Sequence, residues 1–168
     1  MNHIEPGTQL DGYELIRPIG EGGFGQVWMC RATFTGEFKA LKIVRASSTG
    51  EMAREFQGLV AYREKAPWVK SAALMPVEHA NALPSGFFYV MPLADGLSEG
   101  ISPEDADWKP KSLATWLHSF MESGVWLNSE WIHFLMLHLI HAAQALEGVG
   151  LIHRDHCCPA ISRTGSIG

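Results

Sequence analysis

The stretch that most restricts the fold is GEGGFG, residues 20–25, in which four of six positions are glycine. It lies between two segments in which apolar and polar residues alternate, YELIRPIG (13–20) and QVWMCRAT (26–33). A period of two is typical of a half-buried strand, and a short glycine-rich connection is typical of a hairpin. The sequence therefore predicts a glycine-rich β-hairpin near its start.

Three more segments have the composition of strands. They are rich in β-branched and aromatic residues and are bounded by turn-forming residues. The last two are joined by a turn predicted between residues 81 and 86. These segments are GEFKALKIV (36–44), AALMPVEHA (72–80) and GFFYVMPLA (86–94).

Helical signals separate the strands and follow them. Ser48 and Glu51 form a capping box, which starts a helix that ends before Pro67. After a polar connector at 95–111, SLATWLHSFMESG (112–124) predicts a second helix. NSEWIHFLMLHLIHAAQALEGVG (128–150) predicts a third, with Asn128 as its N-cap. This order indicates an α+β fold in two lobes.

The overall composition excludes several classes of protein. A formal net charge of -5 provides no general basic surface for nucleic acid. Three cysteines, two of them adjacent, do not make a disulfide framework, and no secretory leader precedes them. The apolar stretch 131–146 is too short and too often interrupted by polar residues to span a bilayer. We therefore expect a soluble cytoplasmic protein with no nucleic-acid or membrane partner.

The glycines fit the pattern G-x-G-x-x-G-x-V through Gly20, Gly22, Gly25 and Val27. A dinucleotide-binding turn has the same glycine spacing but leads into a helix, whereas here a strand is predicted. Without side chains in the way, the backbone amides of such a hairpin can approach phosphate groups closely. For this stretch alone, an ordinary glycine hairpin remains the alternative.

Lys42 lies inside the third predicted strand, between Leu41 and Ile43. It is either an outward-facing lysine of an edge strand or a lysine directed into a cleft to meet phosphate oxygens. Glu55, on the first predicted helix, supplies a carboxylate that could hold it. Alanine at position 40 leaves room for a flat base.

Together these features resemble the N-terminal part of a protein kinase domain. The motifs occur in the family's order: the glycine loop, Ala40-x-Lys42, a helix carrying Glu55, the hinge VMPLADG (90–96), and His153-Arg154-Asp155. The resemblance runs from about Leu10 to Asp155 and is to the bacterial Hanks-type serine/threonine kinases, truncated just after the His-Arg-Asp motif.

The resemblance implies an ATP site in the first lobe. Val27 and Ala40 would pack on adenine, and Lys42 would contact the α- and β-phosphates and pair with Glu55. Backbone amides of the glycine loop would cover the phosphates. That loop consists of Gly20, Glu21, Gly22, Gly23, Phe24 and Gly25.

The resemblance also assigns roles at the hinge and in the catalytic loop. Met91 falls at the gatekeeper position, Pro92 would offer its carbonyl to the adenine amino group, and Ala94 would offer its amide. Asp155 would orient the substrate hydroxyl as catalytic base, and Arg154 would pair with a phosphorylated activation segment.

The implied organisation has four parts. Residues 10–95 would form a kinase-like N-lobe, a five-stranded antiparallel sheet plus one helix. Residues 96–111 would be a connector, residues 112–155 the first helices of the C-lobe, and residues 156–168 a divergent tail.

The sequence departs from the family directly after Asp155. Cys157 and Ala160 stand where the family has lysine and asparagine, and the 168 residues contain no Asp-Phe-Gly segment. Mg²⁺ is expected for the family, but its protein ligands are missing here, so we expect phosphoryl transfer to be weak or absent. The alternatives are a pseudokinase fragment that binds nucleotide or a partner, and a non-functional product of a frameshifted kinase gene. Sequencing the gene locus tests the frameshift.

No metal site is predicted. Adjacent ligands such as His156, Cys157 and Cys158 cannot easily converge on one ion, and His138 and His141 on the third helix have no evident third ligand. They are read instead as packing or surface histidines. That helix is apolar on most sides and would be partly exposed, so association with another protein covering it is a further expectation.

Overall fold

The structure, a computed structural model, describes residues 4–22, 25–45, 49–65, 74–124, 126 and 128–151. Within them the chain forms a mixed α+β fold. The strands are β1 (Gln9–Leu10), β2 (Tyr13–Gly22), β3 (Gly25–Ala32), β4 (Phe38–Arg45), β5 (His79–Leu83) and β6 (Gly86–Pro92). The helices are α1 (Thr49–Lys65), α2 (Leu113–Glu122) and α3 (Ser129–Glu147).

All strand pairs are antiparallel, in the order β1-β2-β3-β4-β6-β5. The predicted glycine-rich hairpin joins β2 to β3, with Gly22 opposite Gly25. A Cβ atom at Gly25 would lie 1.9 Å from the carbonyl oxygen of Ile43 on β4, so only glycine allows the two backbones to approach this closely. The strand after the glycines, where a dinucleotide-binding turn would have a helix, is confirmed.

The sheet has six strands, not the five predicted. The additional strand, β1, is two residues long and pairs with β2 across a turn at Asp11-Gly12. Both turn residues have positive φ, 46° and 86°, as expected for the tight hairpin turn that Asp-Gly favours. The Asp-Gly dipeptide was therefore a sequence signal for this strand.

The prediction of a strand over 72–80 is also wrong in its bounds. Strand β5 begins at His79, and residues 75–78 lie outside it, although the Glu78 amide still donates to the Val90 carbonyl (2.9 Å). The register that pairs His79 with Val90 would bring residue 77 opposite Pro92. Because proline has no N–H to donate, the ladder cannot continue there.

One face of the sheet, here called the upper face, carries a single cluster of buried side chains. Partly buried Ile4, Leu10, Tyr13 and Leu83 pack against it. The buried members are Leu15, Trp28, Cys30, Leu41, Ile43, Phe88 and Val90.

The sheet curls so that its two edges are bridged. The Asp11 carboxylate, in the β1–β2 turn, accepts from the Asn81 amide (2.8 Å) and lies 3.1 Å from His79 Nε2. Both partners are on β5, at the opposite edge of the strand order. This contact therefore connects the first and last strands of the sheet.

The two later helices form where predicted. The N-cap role of Asn128 is confirmed, because its side chain accepts from the Trp131 amide (2.9 Å). Helices α2 and α3 meet through the rings of Trp116 and Trp131, 5.5 Å apart. Much of the apolar surface of α3 is exposed, for example Leu139 at 56%. None of the described helices is long and apolar enough to cross a membrane.

Candidate functional site

Five predicted site residues of the sheet lie in two rows on its lower face, the face opposite the buried cluster, whereas Glu21 and Pro92 belong to rows of the upper face. In antiparallel strands, directly opposed residues place their side chains on the same face. One row across four strands is Gly20, Val27, Lys42 and Tyr89. The adjacent row is Arg17, Met29, Ala40 and Met91. The structure thus brings the glycine strand, the lysine strand and the hinge strand to one surface.

The first row combines an open position with a cation. Gly20 has no side chain to cover Val27, and an added Cβ there would be 3.7 Å from the Val27 Cβ. Lys42 is half-buried, and its Nζ lies 5.8 Å from the centroid of the Tyr89 ring, a cation–π geometry. Tyr89 was not singled out from the sequence.

The second row is apolar where the hinge strand passes. Ala40 is buried between Met29 and Met91, its two cross-strand neighbours. Strand β6 ends at Pro92, and Ala94 follows, half-buried. This part of the row is therefore apolar, with a small residue between two flexible methionines, and the central members of the row, Met29 and Ala40, are buried.

Helix α1 packs on the same face as Lys42. The ring of Phe56 on α1 meets that of Phe87 on β6 edge-on, with centroids 5.3 Å apart. Phe87 is opposite Val44, two residues along β4 from Lys42. Glu55 precedes Phe56 in α1, and its side chain lies outside the described residues.

Several predicted site residues lie outside the described part of the chain. These are Gly23 and Phe24 in the glycine loop and the motif residues Arg154 and Asp155. Within the described residues, no group of three or more His, Cys, Asp or Glu side chains is placed to hold a metal ion. The ring of His138 on α3 instead lies 2.9 Å from the Phe134 carbonyl oxygen through Nδ1.

Charged and titratable groups on the upper face are separate from this site. Lys39 Nζ lies 3.1 Å from a Glu78 carboxylate oxygen, and the hydrogen bond to Glu78 raises the pKa of Lys39 more than partial burial lowers it. Burial raises the pKa of the Cys30 thiol to about 12. Lys39 and Lys42, on the same strand, therefore serve opposite faces.

The sequence did not predict that Trp108 and Arg17 lie at the border of the site, next to the hinge. A loop over residues 95–111, expected as a plain connector, folds back so that Trp108 is 4% exposed. A Cβ at Gly96 would lie 2.9 Å from Trp108 Nε1, so the indole packs directly on the backbone after the hinge. Arg17 lies beside the same ring, 5.9 Å from its centroid. A tryptophan within a polar stretch was the available signal.

The chain was compared with families of known proteins, with curated proteins and with solved structures. No family model matches the chain. It is 28% identical over 146 residues to a probable cell division protein kinase of Encephalitozoon cuniculi, a match covering 87% of the chain and 40% of that protein. It is 23% identical over 158 residues to a probable serine/threonine protein kinase of Arabidopsis thaliana, covering 91% of the chain and 10% of that protein. The chain is a homologue of protein kinase domains.

Solved structures agree on the fold of this kinase homologue. The PknI kinase domain of Mycobacterium tuberculosis superposes with a TM-score of 0.65 at 19% identity, over 91% of this chain and 56% of that one. A second structure of the same domain gives a TM-score of 0.61 at 20% identity. The kinase homologue spans 10% to 40% of the length of the two curated relatives named above.

Proposed function

We propose that the lower face binds ATP, with the adenine ring on Val27, Ala40 and Met91 and the phosphates at Lys42 and the glycine hairpin. The observation that carries this proposal is the alignment of Gly20, Val27 and Lys42 in one row beside the row of Ala40 and Met91. The residue types suit the ligand, because Gly20 and Ala40 bring no bulky side chain to this face and Lys42 brings a cation to it.

Each part of the face has a distinct role in this proposal. The apolar row takes the base out of water, and the hinge backbone at Pro92 and Ala94 supplies hydrogen-bonding groups for its edge. Lys42 neutralises phosphate charge, and Glu55 on α1 orients the lysine. The contact of Phe56 with Phe87 supports this last role, since it places α1 on the same side of the sheet.

Binding titrations of ATP and adenosine with Lys42→Ala test the proposal. Loss of a charge-assisted contact to phosphate should weaken ATP binding about 10- to 100-fold. Adenosine affinity should change little, since adenosine carries no phosphate. Isothermal calorimetry measures both affinities.

Lys39→Ala is the matched control for that titration. It removes the same charge from the same strand but on the upper face, next to Glu78. Its ATP affinity should equal that of the unaltered chain. Failure of the unaltered chain to bind either ligand, or equal losses in the two lysine variants, would rule out the proposed site.

We further propose that phosphoryl transfer by this chain is weak or absent. ATP supplies the transferable phosphoryl group, and the family stabilises its transfer with a lysine and an asparagine at the positions of Cys157 and Ala160. Neither replacement can neutralise phosphate charge or ligate Mg²⁺ as the family residues do. A radiolabelled phosphotransfer assay with Mg²⁺, repeated with Asp155→Asn, tests this. Turnover that depends on Asp155 and reaches about 1 per second or more, as in active kinases, would contradict the proposal.

A second candidate function is binding of another protein through α3. The exposed apolar side chains of that helix favour it, among them Ile132 at 51%, Met136 at 52% and Leu139 at 56%. Light scattering after size-exclusion chromatography tests the simplest form, self-association. A strictly monomeric chain at all accessible concentrations would refute that form.

A further inference from the structure

Residues 95–111 form a closed loop, which we call the strap. Its two ends are joined by backbone hydrogen bonds from the Lys111 amide to the Asp95 carbonyl (2.7 Å) and from the Leu97 amide to the Lys109 carbonyl (2.9 Å). Gly96 also forms an antiparallel β-bridge with Pro110. These contacts close the strap on itself directly after the hinge.

Arg17 on β2 holds the far part of the strap. Its guanidinium donates to the carbonyl oxygens of Ala106 (2.9 Å, from Nη1) and Asp105 (2.8 Å, from Nη2). Nη2 makes two longer contacts of 3.3 Å, to the carbonyls of Pro103 and Trp108. Four backbone carbonyls thus converge on one cation, which a planar guanidinium can satisfy in several directions at once.

The strap joins two strands that do not touch in the sheet. It follows β6, whereas Arg17 belongs to β2, and β3 and β4 lie between them. Arg17 and Met91 stand at opposite ends of one row, so the strap spans roughly 14 Å, three interstrand spacings. Both strands border the lower face, since β2 runs on into Gly20 and Gly22 and β6 into the hinge.

We propose that Arg17 is a positioning residue for the nucleotide site. Through the strap it adds a second connection, besides the ladder through β3 and β4, between the strand that leads into the glycine-rich hairpin and the hinge, so that both borders of the lower face are held ready for a ligand. A site held in its binding geometry loses less conformational freedom when it binds, which raises affinity. The inference rests on the proposed function, because the ligand that would benefit is ATP.

Hydrogen exchange measured without nucleotide tests whether Arg17 holds the strap. In Arg17→Ala, amide exchange should accelerate about 10-fold in the strap and in residues 20–25, as expected for segments released to open locally. Exchange in β4 should stay unchanged, which separates release of the strap from general destabilisation. Unchanged exchange in the strap would overturn the inference.

Arg31→Ala is the matched control. Arg31 also contacts the strap, through an ion pair with Glu104 in which both side chains are largely exposed, at 42% and 63%. Exposed ion pairs contribute little, so this variant should leave exchange in residues 20–25 unchanged. Equal effects of the two arginine variants would show that net charge, not the carbonyl contacts of Arg17, is responsible.

Affinity measurements test the positioning role. Arg17→Ala should weaken ATP and adenosine binding by a similar factor, about 10-fold, because it acts on the geometry of the cleft. Lys42→Ala should weaken ATP alone. The ATP affinity of Arg17→Lys, which keeps the charge but not the fork of donors, should fall between those of Arg17→Ala and the unaltered chain.

Accelerated exchange with unchanged affinity would overturn the positioning role. An unaltered chain that binds neither ligand would refute the proposed function and the positioning role with it, and the exchange data would still decide whether Arg17 holds the strap.

Discussion

The raised pKa of the buried Cys30 thiol leads us to expect that the chain becomes less stable at high pH. Its side chain is fully buried in the upper-face cluster, and burial raises the pKa of the thiol from 9.0 to about 12. A backbone hydrogen bond that Lys39 makes to the thiolate and the positive charge of Lys39 lower the pKa, but they offset only part of this rise. The unfolded chain therefore loses this proton near pH 9, whereas the folded chain keeps it. The stabilising contribution is complete below pH 9 and is lost as the pH rises towards 12.

The size of the effect follows from the difference in pKa. Each pH unit between the two pKa values lowers the free energy of unfolding by about 1.4 kcal/mol. At pH 10.5 the loss from Cys30 is therefore about 2 kcal/mol relative to neutral pH. Lys39, Tyr13 and Tyr62 also have raised pKa values, so they lower stability in the same direction at high pH. A variant is needed to isolate the share of Cys30.

Urea unfolding followed by circular dichroism, repeated from about pH 7 to 10.5, measures that share. Both proteins carry Cys157→Ser and Cys158→Ser, so that Cys30 is the only thiol in the reference and Cys30→Ala has none. The alanine variant should be less stable at neutral pH because it loses packing, but it should lose about 2 kcal/mol less on raising the pH. Parallel curves for the two proteins would show that the buried thiol does not set the alkaline limit.

Two further variants test local features of the fold. Gly25→Ala should destabilise the chain by more than about 2 kcal/mol, because the added Cβ meets the Ile43 carbonyl. In Gly20→Ala the added Cβ meets only ordinary contacts, so this variant is the control. Thermal unfolding compares the two variants, and similar melting temperatures would contradict the prediction. Asn128→Ala should cost about 1 kcal/mol by removing the acceptor for the Trp131 amide at the start of α3; urea unfolding measures it, and an unchanged midpoint would mean that the cap contributes nothing.

Local patterns predicted most of the elements because each leaves its own signal in the sequence. The alternation around the glycines predicted β2 and β3, and the capping residue Asn128 predicted the start of α3. The positions of Lys42, Ala40 and Met91 in one surface followed from the resemblance, and the register of the sheet brings them together.

The features that were missed depend on contacts distant in the sequence. Arg17 binds backbone carbonyls 86 to 91 residues away, and carbonyls carry no signature of residue type. The start of β5 was wrong because it is decided by its partner strand, which ends at Pro92. Propensity gives no access to such pairings, since they depend on the register between strands.

The bridged edges of the sheet have a consequence for how copies of this chain would meet. Edge strand β1 has two residues and edge strand β5 has five. The Asp11 carboxylate, in the turn after β1, contacts side chains of β5. Where these edges are bridged, few unpaired backbone groups face an incoming strand, so growth of a continuous intermolecular sheet is disfavoured at this end of β2, of which β1 covers only Tyr13 and Glu14. The exposed apolar side chains of α3 provide the competing adhesive surface. Concentrated protein should therefore cluster with its helical infrared signature intact and without binding dyes specific for amyloid.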